Sequence, residues 1–461
     1  MRKIRYLILM FIFLTAVSCF SRGESLPWNA TGEAGKETTV LFISDIHFDP
    51  FSDGAAKELE KTDIAGWRAV LEGAKNGKFP DYGKDTNYAL LSSSLAEINK
   101  AGAGAGCVIV CGDMLCHRFD VKYRLNCNPA GSEAPFAIKT IGFLAAMIKE
   151  ALPGKPVFYV IGNNDSDKGD YNIIPGGAML TALPDYYDTI APVKAAASDF
   201  KKGGYYELPL PGLDKCELIV LNDVYWHKGY KRPRRVKETA GDVEMKWLKS
   251  ELDTAAAAGK KVFIAMHIPP GIDPYMAAKD KGCKGPDGFM LPEYNSEFIE
   301  MIRSHGMVVK NIFAGHTHFD DFRIFSDAGN PFMAVSIIPS ISPVHGNNPA
   351  FEMAIINSSG EIKDRAVYNM GGYGAGTGAS AWGLEYTFCA GYGISDLSPA
   401  GMNALAASIS APGAAQDKYY SFYTAGNTLL SILLKKQSAV YDCALVSQNF
   451  EGFAACGCGG R

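Results

Sequence analysis

The 461-residue chain has little net charge of either sign: 45 lysines and arginines face 49 aspartates and glutamates, for a formal charge of -4. Without a broad basic surface, a nucleic-acid polymer is not expected as a partner. The one dense basic run, Lys231-Arg232-Pro233-Arg234-Arg235, lies in a loop-like stretch and reads as a solvated face, with a local anion site as the alternative. Beyond the N-terminus no stretch is long and apolar enough to span a bilayer. A second cysteine pair of suitable spacing is also missing beside Cys456-Gly457-Cys458, which favours a disulfide role there over a thiolate metal site.

The apolar run at the N-terminus has the form of an export leader. Arg2, Lys3 and Arg5 precede a short apolar core, Tyr6 to Val17, and then Ala16-Val17-Ser18-Cys19. This resembles a bacterial lipoprotein signal, which implies removal of residues 1–18 and lipidation at Cys19, although Ala16 stands where leucine is usual. The expected product is an exported, periplasmic or cell-envelope protein held to a membrane through its N-terminus, with 19–37 as a polar linker. In such a compartment disulfides persist. Cys116 with Cys127, and the group Cys389, Cys443, Cys456 and Cys458, are the plausible places, and their pairing is open. Cys107 and Cys111 lie in an apolar run and read as buried thiols.

Hydrophobic residues make up 47% of the chain, enough for one large domain and a smaller one. Helical and strand-like patterns alternate, which predicts an α/β fold. Helices are expected over 55–74, 86–100, 136–151, 243–258 and 293–305. Strands are expected over 38–44, 107–111, 156–161, 216–221, 261–266 and 307–313, then near 321–325, 332–337, 352–357 and 363–369. After the glycine-rich joint at 371–376 two more helices are expected, 399–409 and 416–435. Tyr419, Tyr420, Phe422 and Tyr423 with Leu429, Leu430, Ile432 and Leu433 form the predicted packing face of a small helical domain, 371–461.

Five of the strands stop on a polar residue able to bind a metal: Asp45, Asp113, Asn163, His267 and His316. Ligands in α/β folds gather at the carboxyl ends of strands. In Asp45-x-His47 the period of two sends both side chains to one side. Together with His47 and His318, these residues supply mixed oxygen and nitrogen donors, which suit Zn, Fe or Mn. Seven donors exceed what one catalytic ion with an open position needs, but they suit two ions that share a carboxylate. Such a pair clamps both oxygens of a phosphoryl displacement and activates a water.

The order Asp-x-His, Gly-Asp, Gly162-Asn163-Asn164-Asp165, His267 and Gly315-His316-Thr317-His318 resembles the calcineurin-like metallophosphoesterase superfamily. The stretch Gly315 to Arg323, with Pro339-Ser340-Ile341-Ser342-Pro343 and Asn348-Pro349, is similar to its acid sphingomyelinase-like branch. The resemblance implies a β-sandwich flanked by helices, a four-layer α/β/β/α domain over 38–370, followed by the helical domain. It implies two divalent metals, zinc by preference. Asp45, His47 and His318 would hold the first, Asn163, His267 and His316 the second, and Asp113 would bridge.

Two departures from the branch stand out. The usual histidine after the asparagine ligand is Asn164 here, and an amide donates a hydrogen bond but delivers no proton. The segment Phe20 to Glu37 is too short for the lipid-presenting saposin domain of acid sphingomyelinase, which shifts the expected substrate from lipid toward a small soluble diester or nucleotide. His117, four residues after Asp113, matches a histidine that the branch keeps beside its metals and becomes the candidate proton donor. His345 is expected to support the ligands from behind, and His227 and His305 to be surface or helix-end residues. Two functions remain: an exported dinuclear-metal phosphodiesterase in which a hydroxide activated by the metals attacks a phosphodiester or phosphoanhydride, and a catalytically weak envelope lipoprotein that keeps the metal site for binding or structure.

Overall fold

The structure is a computed structural model and describes residues 37–457 apart from 75–76, 129–130, 233–235, 280–287 and 375–379. The leader, Cys19 and Cys458 lie outside the described residues, as does most of the basic run. Among the described residues no helix is long and apolar enough to cross a membrane.

Among the described residues twelve strands form the frame: β1 Glu37–Ile43, β2 Cys107–Val110, β3 Val157–Tyr159, β4 Tyr206–Pro209, β5 Cys216–Val220, β6 Lys261–Ala265, β7 Val309–Ala314, β8 Asp321–Asp327, β9 Asn330–Ile337, β10 Ala350–Asn357, β11 Ile362–Gly371 and β12 Ala381–Thr387. They make two mixed six-stranded sheets, ordered β12-β11-β10-β1-β2-β3 and β4-β5-β6-β7-β9-β8. In the first, β1, β2 and β3 run parallel; in the second, so do β5, β6, β7 and β9. These central strands are near-continuous apolar runs such as Cys107-Val108-Ile109-Val110, as expected of parallel strands covered on both faces. The two sheets pack through one apolar core, where Phe42 of β1 meets Phe313 of β7 with ring centroids 4.4 Å apart. The expected α/β sandwich with flanking helices is the fold found.

Helix ends follow local chemistry. Asn87 caps the helix Tyr88–Ala101 by accepting from the Leu90 amide at 3.0 Å. Thr239 and Asp242 make a reciprocal capping box at the start of Ala240–Ala257.

Several expectations need correction. The helix expected over 55–74 is two, Ala56–Lys61 and Ile64–Ala74, because Thr62 turns to extended backbone. The helix expected over 416–435 is likewise two, Ala414–Tyr423 and Thr428–Lys435, separated by Ala425 and Gly426 in the left-handed region (φ 51° and 83°). That break divides the predicted packing face. Tyr419, Tyr420 and Tyr423 are buried and Phe422 stacks on Tyr386, but Leu429, Ile432 and Leu433 are turned out to solvent. The first sheet also continues past Gly371, since β12 pairs with β11. Cys443 and Cys456 form a disulfide, whereas Cys116, Cys127 and Cys389 are free thiols.

The C-terminal helices are anchored beside the last strand-end motif. Asp321 accepts from Tyr419 Oη at 2.8 Å and pairs with Arg323. Asp320 accepts from Tyr386 Oη at 2.5 Å, and its own amide donates to the Tyr423 carbonyl at 3.2 Å. Arg365 pairs with Glu352 at 2.6 Å and reaches Asp320 at 3.6 Å. A buried guanidinium with two carboxylates fixes orientation more than it adds stability.

Candidate metal centre and cleft

All seven strand-end residues converge where the parallel strands of both sheets end. The first sheet delivers Asp45 and His47 after β1, Asp113 after β2 and Asn163 after β3. The second delivers His267 after β6 and His316 and His318 after β7. The ligand atoms of Asp45, His47 and Asp113 lie within 4.8 Å of one another, and so do those of Asp113, His267 and His316. Asp113 belongs to both groups. Its Oδ2 lies 3.5 Å from His47 Nε2 and 3.3 Å from His267 Nε2. His318 Nε2 lies 3.1 Å from His47 Nε2 and 3.4 Å from Asp45 Oδ1. Asn163 Oδ1 lies 3.0 Å from His267 Nε2.

The backbone shows what this convergence requires. Asp45, His47, Asp113, His316 and His318 all sit in the left-handed region, at φ of 48°, 45°, 52°, 69° and 70°. Non-glycine residues avoid this region, and such strain concentrates at functional sites. The motif glycines clear the way for them. A Cβ on Gly162 would overlap the Asp113 carboxylate, and one on Gly315 would overlap Ser44 Oγ beside Asp45.

The site is buried and rich in charge. Asp45, His47 and His267 are wholly buried, and Asp45 Oδ1 and His318 Nδ1 have no hydrogen-bond partner among the described residues. Buried polar atoms without partners are costly. Here they sit among nitrogen and carboxylate donors of the kind that hold a divalent cation, so the residues present fit such an ion. Burial disfavours the charged form of His47, yet Asp45, Asp113 and Asp85 outweigh it and carry the imidazole up to about 9. His267 rises to about 10 against the same burial, chiefly through Asp113. Burial also opposes the charge on Asp113, but His267 and His47 hold its carboxyl far below the usual range. Both shifts trace to the carboxylates crowded at the strand ends, the negative charge that a divalent cation held there would balance.

The ligands are oriented from behind. His47 Nδ1 is 2.9 Å from the Leu115 carbonyl and His267 Nδ1 is 2.8 Å from that of Cys111, which turns both Nε2 atoms inward. Asp45 accepts from Ser44 Oγ and from the His316 amide at 3.0 Å. Asn164, in the position of the absent histidine, grips Asp113: its amide donates to Oδ1 at 2.7 Å and its Nδ2 to Oδ2 at 2.8 Å.

His117 faces the same space. Its ring stacks on His47 at 4.0 Å, and its ligand atom lies within 4.8 Å of those of His47 and His318. Nδ1 is bonded to Asp85 Oδ1 at 2.7 Å, and Lys122 Nζ bridges Asp85 Oδ2 at 2.6 Å and Asp49 Oδ2 at 2.8 Å. Burial works against the Asp85 charge, but His117, His47 and Lys122 hold the carboxyl down to about 2. His345 meets His318 edge to face at 4.3 Å, and burial lowers it to about 4. His227, expected at the surface, is buried and stacked on Tyr171 at 4.2 Å, because the loop after β3 folds over it. His305 ends its helix as expected.

Sequence reasoning missed Asp85, Asp165, Asp170 and Asp223. Asp165 accepts from the Met114, Leu115 and Gly162 amides, and Asp223 from those of His267 and Ile268. Both stiffen the loops that carry ligands. Asp165 and Asp223 do follow strand-like runs, which was their available signal; Asp85 and Asp170 lie in turn-rich loops that give none. A cleft of about 310 Å³ opens over the cluster, walled by Tyr171, Tyr275, Phe289, Phe319, Tyr423 and Tyr441.

Two facing mixed sheets that crowd histidines and carboxylates at their parallel strand ends fit the class of metal-dependent phosphoric ester hydrolases. The calcineurin-like phosphoesterase family model matches residues 38–320, and the model for the acid sphingomyelin phosphodiesterase C-terminal region matches 331–456. The chain belongs to the calcineurin-like phosphoesterase family, in its acid sphingomyelinase-like phosphodiesterase branch. It is 26% identical over 450 residues to human acid sphingomyelinase-like phosphodiesterase 3b, covering 93% of this chain and 91% of that one. It is 25% identical over 428 residues to the rat cyclic GMP-AMP phosphodiesterase SMPDL3A, covering 90% of each. With Sphingomyelinase phosphodiesterase D of Dictyostelium discoideum it shares 28% identity over 327 residues, 69% of this chain and 68% of that one.

Proposed function

We propose that the protein is an exported phosphodiesterase that uses two divalent metals, zinc by preference, to hydrolyse a phosphodiester or phosphoanhydride of nucleotide-like or sphingomyelin-like type. The observation that carries this is the shared place of Asp113 in two separate ligand groups. Asp45, His47 and His318 would hold one ion, Asn163, His267 and His316 the other, with Asp113 between. Two such ions polarise a phosphoryl group and activate a water.

The rest falls to the chain. Asn164 holds Asp113 in place through two hydrogen bonds. His117, steadied by Asp85 and open to the cleft, is placed to give a proton to the leaving oxygen. The aromatic walls shed water and accept a flat or apolar leaving group. The likeness to a cyclic GMP-AMP phosphodiesterase supports the nucleotide-like end of the substrate range, and that to Sphingomyelinase phosphodiesterase D the sphingomyelin-like end.

The test is metal analysis of the purified protein with a broad panel of diesters, monoesters and nucleotides, with and without chelator. Two ions per chain and chelator-sensitive turnover are the expected result. Asn164 favours a second reading, a catalytically weak envelope protein that retains the site for binding or structure. Full metal occupancy without turnover on any member of the panel would establish that reading instead.

A further inference from the structure

Asn163 differs from the proposed ligands His47 and His267 in how it is oriented. A planar amide has two ends of nearly equal size, and only the oxygen can bind a cation. His47 and His267 are fixed by main-chain carbonyls, which side-chain substitution leaves in place. Asn163 instead donates from Nδ2 to Asp170 Oδ1 at 2.7 Å. An ionised carboxylate only accepts, so the end of the amide that faces it must be the nitrogen, and Oδ1 is left pointing at His267 and the ligand cluster.

The loop after β3 is built to bring this carboxylate back. Asp170 lies seven positions after Asn163. The Tyr171 amide donates to the Asn163 carbonyl at 3.0 Å, with Tyr171 itself left-handed at φ 54°. Ser166 Oγ donates to the Asn172 carbonyl at 2.7 Å and receives the Lys168 amide at 3.0 Å, which closes the turn. Gly169, at φ 86°, makes the reversal immediately before Asp170.

We infer that Asp170 is a positioning residue that locks the Asn163 amide with its oxygen toward the second ion, an inference that rests on the dinuclear reading above. Carboxylates behind metal ligands are worth about tenfold to a hundredfold in metal affinity. Without Asp170 the amide is free to turn its nitrogen inward, where it repels a cation. The first ion, held by residues of other loops, is indifferent to this.

Zinc affinity of the folded protein is the readout, measured by competition with a chelator, and His316→Ala and His318→Ala identify which step belongs to which ion. Asp170→Ala should weaken the second ion by about tenfold to a hundredfold and leave the first unchanged. Asp170→Asn, whose amide oxygen still accepts, should stay within about threefold of the natural protein. Asp170 is exposed at the cleft rim, so alanine removes no core packing, and Asp170→Ser provides a second loss variant. Unchanged affinity for both ions in Asp170→Ala, with KM raised instead, would overturn the inference and make Asp170 a substrate contact. Equal weakening of both ions would overturn it as well. If the natural protein binds fewer than two zinc ions, the dinuclear reading itself falls, a result distinguishable from either.

Discussion

Replacing His117 separates proton delivery from metal support. The imidazole is fixed on one side by Asp85 at 2.7 Å and stacked on His47 at 4.0 Å, and its side chain keeps 34% exposure on the cleft. Such a group is oriented well enough to act as an acid, and general acids contribute about a hundredfold to ten-thousandfold. An alkoxide leaving group needs the proton; a nitrophenolate hardly does. His117→Ala should therefore slow hydrolysis of an alkyl diester or dinucleotide by about a hundredfold, close to 2.7 kcal/mol of barrier, and change that of a nitrophenyl diester by less than about threefold. Asp85→Asn should reproduce the selectivity at about a tenth of the size, since Lys122 keeps its contact with Asp49. Because His117 also lies within ligand distance of His47 and His318, zinc content must be measured in parallel. Equal losses on both substrate types, or loss of an ion, would refute the acid role and make His117 part of the metal site.

Asp113→Asn should lose both ions and on the order of a thousandfold in turnover, more than removal of any one terminal ligand; retained metal content and near-normal turnover would dismiss the dinuclear assignment. Asp442 is a buried carboxyl that desolvation raises to about 6 despite hydrogen bonds from Tyr420 and Gln416. A raised carboxyl favours the fold while protonated, so stability should fall as pH rises from about 4 through 6, by about 1–2 kcal/mol relative to Asp442→Asn in urea unfolding once solvent screening is allowed for; parallel pH profiles would contradict this. Opening the Cys443–Cys456 bridge, whose partners are 13 residues apart, by a double alanine substitution should cost about 2–3 kcal/mol in unfolding free energy, with turnover per folded molecule preserved. Cys19→Ser should shift the protein from the membrane fraction to the soluble fraction on cell fractionation; an unchanged distribution would rule out lipidation at that residue.

Much of the site was legible because two local rules act together. Apolar β-branched runs mark the strands, and a polar residue at each carboxyl end marks where the chain turns toward the ligand side, so Asp45, Asp113, Asn163, His267 and His316 needed no long-range information. What orients them was hidden. Asp85 reaches His117 from a different loop, and Asp170 reaches Asn163 through a reversal that depends on Gly169 and a left-handed Tyr171. The break at Ala425 did have a local signal, Gly426 followed by the capping Asn427, but the apolar periodicity running on through Leu429, Leu430, Ile432 and Leu433 reads as one continuous helix and masked it. The burial of His227 likewise depends on a partner, Tyr171, that only the fold supplies.

The division of the ligand cluster between two sheets sets a timetable for the protein's manufacture. His47 and His318 touch although they are 271 residues apart in the chain. A ribosome must therefore finish well over half of the 461 residues, and both halves of the sandwich must close, before the pocket is whole. Under the proposed assignment, ions enter late and from whatever compartment the chain folds in. The metal supply of that compartment, rather than that of the place of synthesis, then selects which ion the finished enzyme carries.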